Sequence, residues 1–501
     1  MSEQYILIID AGTSALRCHL FDVNGCCITR KWRPWSLIER ENDHSLAREF
    51  DIGKVWKTLC SLIEDTLIDA NIGPMQVEAI GVTSQRQGIA FLDKDHSELY
   101  MGPNMDLRAV FEGATIDQDH ADDVYSITGH LPSFFFTPAK LRWFQIHRNQ
   151  VYKNIAYALP LADWITFKLT GNLTSERSLA GEAGHLDIKR GDWASTLPEQ
   201  LGLSINRDLE LVDPGHRVGV ITPLVSNQTG LSTGTSVVVC GADTQIGLLG
   251  LGAWNPDDVG IVAGWSSPLQ MVTSKPILSP EAATWAGCYA APDRWVLESS
   301  AGDIGNGYSW LVNTIWDNAS NAYAQADIAA NAISPGAEGT LAVLGPSRMD
   351  MRRLGLFAGG LLFPTPISFH KKSRGHLIRA VLEAGAYTIR ANLEQAEALA
   401  GKRAATIALG GGMSKSTVFV SILANVLGRN ISLAKEPATS ALGAYFCTAT
   451  TQRHFPSLRS AIASARDRLD LIEFQNEVSQ EYDALYKKWL ETAAKLKEID
   501  L

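Results

Sequence analysis

An aspartate delivered by an apolar strand and followed at once by Gly-Thr-Ser stands at Asp10, in the stretch Leu7 to Asp22. A buried ionised carboxylate is costly unless it is paired, hydrogen-bonded or bound to a cation. The turn that follows suggests the compensation. Consecutive backbone N–H groups in a Gly-rich turn bind an anion without any net positive charge, so Gly12, Thr13 and Ser14 are a candidate phosphate cradle. Arg17, on the return strand, is placed to reach a phosphate. Mg²⁺ takes one or two carboxylates and keeps several waters, which makes Asp10 the candidate metal ligand. The alternative is a plain hairpin turn whose Asp and Gly serve only turn geometry.

The same device recurs. The strand Val237 to Cys240 runs into Gly241-Ala242-Asp243-Thr244 and then a helix of small residues. Transfer of a phosphoryl group to an alcohol needs a base to orient and accept the hydroxyl proton, and Asp243 is the candidate. Its other reading is a helix N-cap, and the sequence leaves the two open. The stretch Val259 to Val272 is again strand, Gly-containing turn, strand. Leu409-Gly-Gly-Gly-Met-Ser-Lys-Ser416 is a strand-to-helix glycine turn whose lack of side chains admits a flat base or ribose. It carries neither GxGxxG nor GxxxxGK[ST], which disfavours a dinucleotide fold and a Walker P-loop. Glycine required only for helix–sheet packing is the alternative there.

These turns need elements to position them. Strand, turn and strand over 5–22, a helix over 55–70 and a strand over 77–85 alternate in the first half, and an amphipathic helix ends at Gly428. The pattern predicts an α/β protein with two halves meeting at a cleft, closed by a polar-faced helix over 474–497. With 501 residues and 46% hydrophobic composition, at least two domains are expected. Lys+Arg 44 against Asp+Glu 54 gives a net charge of −10, so no overall basic surface is available for nucleic acid. No apolar run approaches the roughly 18–20 residues that cross a bilayer, and the N-terminus lacks a secretory pattern. The expectation is a cytoplasmic chain without membrane partners. Its seven cysteines, scattered without CxxC spacing, fit reduced thiols. A homodimer is compatible with the sequence, which carries no signal for it.

Taken together, these residues resemble the FGGY family of carbohydrate kinases, of the actin, Hsp70 and hexokinase type of ATPase fold. Asp10-Ala-Gly-Thr-Ser with Arg17 is similar to the family's first phosphate motif, and Gly241-Ala-Asp-Thr to the segment bearing its catalytic aspartate. Thr137-Pro-Ala-Lys140-Leu-Arg-Trp143, Asp163-Trp164 and His376 to Glu383 resemble its signatures. Gly410 to Ser416 resembles its adenine-side motif, and Glu436 to Ala444 its second connecting element.

The resemblance implies two RNase H-like domains closing on a small sugar or polyol and on Mg-ATP, divided as 1–250, 251–455 and a helical extension over 456–501. Asp243 would be the base, and Asp10 and Asp243 would flank Mg²⁺. Gly12, Thr13, Ser14, Arg17, Gly264, Ser266, Gly305, Gly411, Gly412 and Ser416 would contact the nucleotide. Arg86, Gln87, Asp106 and Thr244 would contact the acceptor, with an ordinary surface ion pair as the alternative for Arg86.

Departures from the family pattern bear on substrate and activity. Ser84-Gln-Arg86-Gln87-Gly88 and Asn104-Met-Asp106-Leu-Arg108 differ from the xylulokinase and glycerol kinase patterns and are closer to those of autoinducer-2 kinases. A pentulose or an open-chain ketone of that kind is the expected acceptor. Trp265 stands where the family usually carries Thr, with Ser266 or Ser267 as substitutes for its hydroxyl. That favours the alternative of a sugar- and nucleotide-binding member with weakened transfer. Asn425 replaces a common Asp and reads as structural.

Overall fold

The structure, a computed structural model, describes residues 3–38, 45–204, 209–264, 266–355, 357–366 and 371–499. The first half is built on one six-stranded sheet. Its strands are β1 (Tyr5–Ala11), β2 (Ala15–Asp22), β3 (Cys27–Pro34), β4 (Val77–Ser84), β5 (His216–Val220) and β6 (Ser236–Ala242), in spatial order β5-β6-β4-β1-β2-β3. β1, β2 and β3 form an antiparallel meander, and β4 and β6 continue parallel to β1. All seven residues of β1 are buried, as are all seven of β6, because helices cover both faces. Helix α1 (Ile52–Ala70) begins where the Asp51 carboxylate accepts from the Lys54 N–H and ends at Asn71 in the left-handed conformation.

The second half repeats this plan. Its strands are β7 (Asp258–Val262), β8 (Pro268–Thr273), β9 (Trp285–Cys288), β10 (Trp295–Ser300), β11 (Thr406–Gly410), β12 (Ile431–Ala434) and β13 (Leu469–Ile472), in the order β9-β10-β8-β7-β11-β12-β13. β7, β8 and β10 form the meander, β11 and β12 follow parallel to β7 and to each other, and β13 closes antiparallel. β9 is the one addition to the plan of the first sheet.

Between the sheets lie α2 (Asp243–Gly250), which leaves β6, and α5 (Thr439–Thr451), with α3 (Arg374–Ala400) and α4 (Thr417–Leu427) preceding α5 in the chain. α2 packs on β7 of the second sheet and α5 on β1 and β4 of the first, so each half lends a helix to the other. The two helices cross at backbone contact. A Cβ on Gly443 would stand 2.0 Å from the Ile246 carbonyl oxygen, and one on Gly250 would stand 2.0 Å from that of Thr439. Around this crossing Ile6, Ile8, Val238, Ile246, Leu249, Tyr445 and Phe446 share one core.

The chain after residue 455 supplies β13 and the helix α6 (Asn476–Leu496), which buries Tyr482, Tyr486, Trp489 and Ala493. Those side chains share a core with Ile378, Tyr387 and Phe419, so α6 is part of the second half rather than an appendage. No described helix is long and apolar enough to cross a membrane.

Replacing Gly443 by Val forces side-chain atoms into the backbone of α2. Overpacking of this kind typically costs ~1–3 kcal/mol, and helix propensity returns less than ~1 kcal/mol of it. Denaturant titration of Gly443→Val should show a net loss of ~1–2 kcal/mol, and an unchanged midpoint would mean that the helices are free to separate.

Candidate functional site

A cleft of about 610 Å³ opens between the two sheets. Its walls carry Asp10, Gly12, Thr13, Ser14 and Arg17 from the β1–β2 hairpin, Gly264 and Ser266 from the matching β7–β8 turn, and Gly411 and Gly412 beyond β11. Arg86, Gln87, Asn104, Asp243 and Thr244 complete one end. The repeated plan explains the convergence, because equivalent turns at the same edge of two similar sheets come to face each other.

Asp10 is 9% exposed and pairs across the hairpin with Arg17, whose Nη1 lies 3.6 Å from Asp10 Oδ2. Arg17 Nη2 also donates to Ser14 Oγ at 3.0 Å, and a Cβ on Gly12 would stand 2.4 Å from Arg17 Nη1. The guanidinium thus folds over the turn and supplies a direct partner for Asp10, where the sequence pointed only to a cation. The pairing is incomplete. Burial still raises the Asp10 carboxyl above its ordinary value, with Arg17 opposing.

Asp243 is the first residue of α2, and the cap is Ala242 with no side-chain capping bond, so the N-cap reading is corrected. Its carboxyl faces the cleft, while its carbonyl accepts from Ser440 Oγ at 2.8 Å. Burial, then the charge of Asp10, pushes the carboxyl up to about 7 against the pull of Arg86. A carboxyl poised there is matched to accept a proton near neutrality.

On the opposite wall the Gly264 N–H donates to the Ser266 carbonyl at 2.9 Å, closing a tight turn. Trp265, between them, lies outside the described residues. Gly411 has φ 90°, and a Cβ there would stand 2.5 Å from the Ala263 carbonyl oxygen, so this glycine is needed for shape as well as conformation. Gly412 has open space where a Cβ would point.

Three expected contacts fall elsewhere. Asp106 is fully buried and saturated: it accepts from the Tyr100 hydroxyl, from Arg108 Nε at 2.7 Å and from the Arg48 N–H at 2.8 Å. It does not line the cleft; Asn104, two residues earlier, does, donating to Thr13 Oγ1 at 3.0 Å. Ser416 caps α4, accepting from the Phe419 N–H and donating to Asp327 at 2.7 Å. Gly305 is buried inside the helix Ile304–Trp316, away from the cleft lining.

Arg86 is no surface ion pair. It is bound by Glu182 and Glu298, both buried, and Gln87 holds a positive φ of 58° while its carbonyl accepts from the buried Lys140 Nζ at 3.1 Å. The sequence reading passed over Glu298, although it shows the signal used for Asp10, a charge inside an apolar strand. It also passed over His19, a cleft residue 2% exposed whose two ring nitrogens have no partner among the described residues. Burial, with Arg17 and Arg30 nearby, pushes this imidazole down to about 4.

Two sheets of one plan, a helix exchanged between them and a cleft walled by Gly-rich turns and two acids define a phosphotransferase of the actin-like ATPase fold. Residues 5–250 match the N-terminal domain, and residues 259–451 the C-terminal domain, of the FGGY family of carbohydrate kinases. The chain belongs to that family, and it is a sugar kinase. It is 26% identical over 506 residues to the autoinducer-2 kinase of Escherichia coli strain K12, covering 97% of this chain and 94% of that protein. Among solved structures, a ligand-bound xylulose kinase from Lactobacillus acidophilus shares the fold at TM-score 0.84 and 19% identity, covering 99% of each chain. A gluconate kinase from the same organism does so at TM-score 0.83 and 19% identity, again covering 99% of each.

Two outcomes follow from the geometry. In the free enzyme kcat/KM should rise with pH through about 7 as Asp243 loses its proton; a flat profile between pH 6 and 8 would remove that carboxyl from a proton-accepting role. Asp106→Ala leaves the Arg108 guanidinium buried without its closest carboxylate. Breaking such a pair costs ~3–5 kcal/mol, so thermal unfolding should show a marked loss of stability, while the acceptor KM of the folded fraction stays unchanged.

Proposed function

We propose that this kinase transfers the γ-phosphoryl group of ATP to a hydroxyl of a small neutral polyhydroxy ketone or polyol, a pentulose or an open-chain ketone of the autoinducer-2 type. The single observation that carries the reading is the acceptor end of the cleft. There Asp243, with its carboxyl near 7, stands beside Arg86, whose charge two buried carboxylates already answer. A neutral acceptor meets hydrogen-bonding groups at Gln87, Asn104 and Thr244. The name of the Escherichia coli relative, an autoinducer-2 kinase, supports an acceptor of that type.

In this reading the acceptor hydroxyl gives its proton to Asp243 as its oxygen forms the new bond to the γ-phosphorus. The bond from that phosphorus to the bridging oxygen breaks, and ADP leaves with the electron pair. Gly12, Thr13 and Ser14 on one wall, with Ser266 and Gly412 on the other, hold the phosphates through backbone N–H groups and hydroxyls, while Gly264 and Gly411 shape the turns that present them. Arg17 orients them and holds Asp10. Thr244, Arg86 and Gln87 orient the acceptor. Closure of the two halves excludes water, which would otherwise compete for the phosphoryl group.

The donor set suits Mg²⁺. Asp10 and Asp243 are the carboxylates at this point, and no cage of three or more His, Cys, Asp or Glu side chains occurs among the described residues. That matches an ion that takes one or two carboxylates and completes its shell with water and phosphate. When bound, Mg²⁺ supplies charge neutralisation at the phosphates, and Asp10 is the residue to hold it.

ADP release with Mg-ATP, measured against ketopentoses, open-chain polyhydroxy ketones, glycerol and aldonates, tests the reading. One neutral acceptor should raise turnover far above the ATP-only rate. Asp243→Asn should fold and bind ATP yet lose at least ~100-fold in kcat, the usual worth of a general base. Equal turnover in that variant would overturn the assignment.

A further inference from the structure

Arg86 follows β4 of the first sheet, and its side chain is 12% exposed between two carboxylates that are each 2% exposed. Glu298, in β10 of the second sheet, accepts from Arg86 Nη1 at 2.5 Å and from Nη2 at 3.1 Å, a two-point grip. Glu182, from the first half, accepts from Nη1 at 3.2 Å.

Each carboxylate is itself held. Gln270, directly opposite Glu298 in the sheet, donates to it at 2.7 Å. Gln245 donates to Glu182 at 2.6 Å and Gln87 at 3.3 Å, and His130 Nε2 lies 3.5 Å away. The Trp285 ring covers the guanidinium at 5.3 Å. None of this serves stability cheaply, since a buried ion cluster is often matched or exceeded by apolar packing. Its geometry points to specificity.

We propose that Glu298 and Glu182 form a carboxylate collar that aims Arg86 into the acceptor end and sets that end's charge, so that neutral acceptors are taken and acidic ones refused. The proposal rests on the neutral-acceptor reading above. Arg86 comes from one half and Glu298 from the other, so the collar also makes the acceptor end depend on how the two sheets sit together. An aldonate carboxylate entering here meets two negative charges beside a guanidinium whose charge is already spent on them. Glu298 and Glu182 act through Arg86 and are positioning residues. Burial pulls the Arg86 guanidinium down, but the two carboxylates outweigh it and hold it above its ordinary value. Burial likewise pushes Glu182 up, and Arg86 and His130 reverse that to about 2.

Steady-state kinetics of Glu298→Gln tests the collar. The acceptor KM should rise ~10-fold or more, as when one partner of a buried charge pair is removed, with the KM for ATP within about twofold. Aldonates, inert toward the wild type, should become competitive inhibitors against the acceptor, and Glu298→Asp should restore most of the acceptor KM. Should Glu298→Gln fail to fold, Gln270→Leu, which keeps the charges but removes the bond orienting Glu298, should still raise the acceptor KM alone. An unchanged acceptor KM in these variants would overturn the collar while leaving the neutral-acceptor reading intact. A wild type that phosphorylates an aldonate better than any neutral acceptor would overturn that reading first.

Discussion

Asp10 and Asp243 share one buried space, and most of the cleft can be understood as the means of keeping two like charges there. β1 and β6 are separated by a single parallel strand, so Asp10 near the end of β1 and Asp243 just beyond β6 arrive at the same end of the sheet. Neither can ionise freely beside the other. Arg17 answers Asp10 from across the hairpin, Arg86 lies close enough to oppose the shift at Asp243, and Asp243 still sits near 7. In the proposed mechanism that residual demand for positive charge is met by a cation arriving with the nucleotide, and the carboxyl near 7 is the one that takes the proton.

The second sheet supplies the other half of the site by repeating the plan of the first. β7 and β8 stand to Gly264 and Ser266 as β1 and β2 stand to Gly12 and Ser14, and Gly411 follows β11 as Arg86 follows β4. Apolar helices exchanged between the halves hold the turns face to face. Only glycine lets the backbones of α2 and α5 approach as closely as they do, which makes Gly250 and Gly443 determinants of the cleft without touching it. The collar on Arg86 adds a polar tie across the same boundary, deeper in the cleft.

Much of this was legible along the chain. An apolar strand that ends in a charge is a local signal, and it located Asp10 and Asp243. Gly-rich turns located Gly12, Gly264, Gly411 and Gly412, and the α/β class followed from periodicity. The misplacements share a cause. Asp106 and Asn104 are two residues apart on one loop, and only the packing of Tyr100, Arg108 and Arg48 around Asp106 decides which of them is consumed internally. Ser416 reads equally well as a ligand-facing hydroxyl and as a helix cap, and the orientation of α4 decides for the cap.

The sequence by itself determined the local chemistry: which strands end in acids, which turns can cradle an anion, and that two such halves exist. Those properties depend on neighbours a few residues apart. Tertiary structure alone decided which charges neutralise one another. Arg86 and Glu298 are 212 positions apart, and their contact exists only because the two halves of the chain pack against each other. The charge of the acceptor end is a sum over such long-range pairs, so it becomes defined only when the fold is complete.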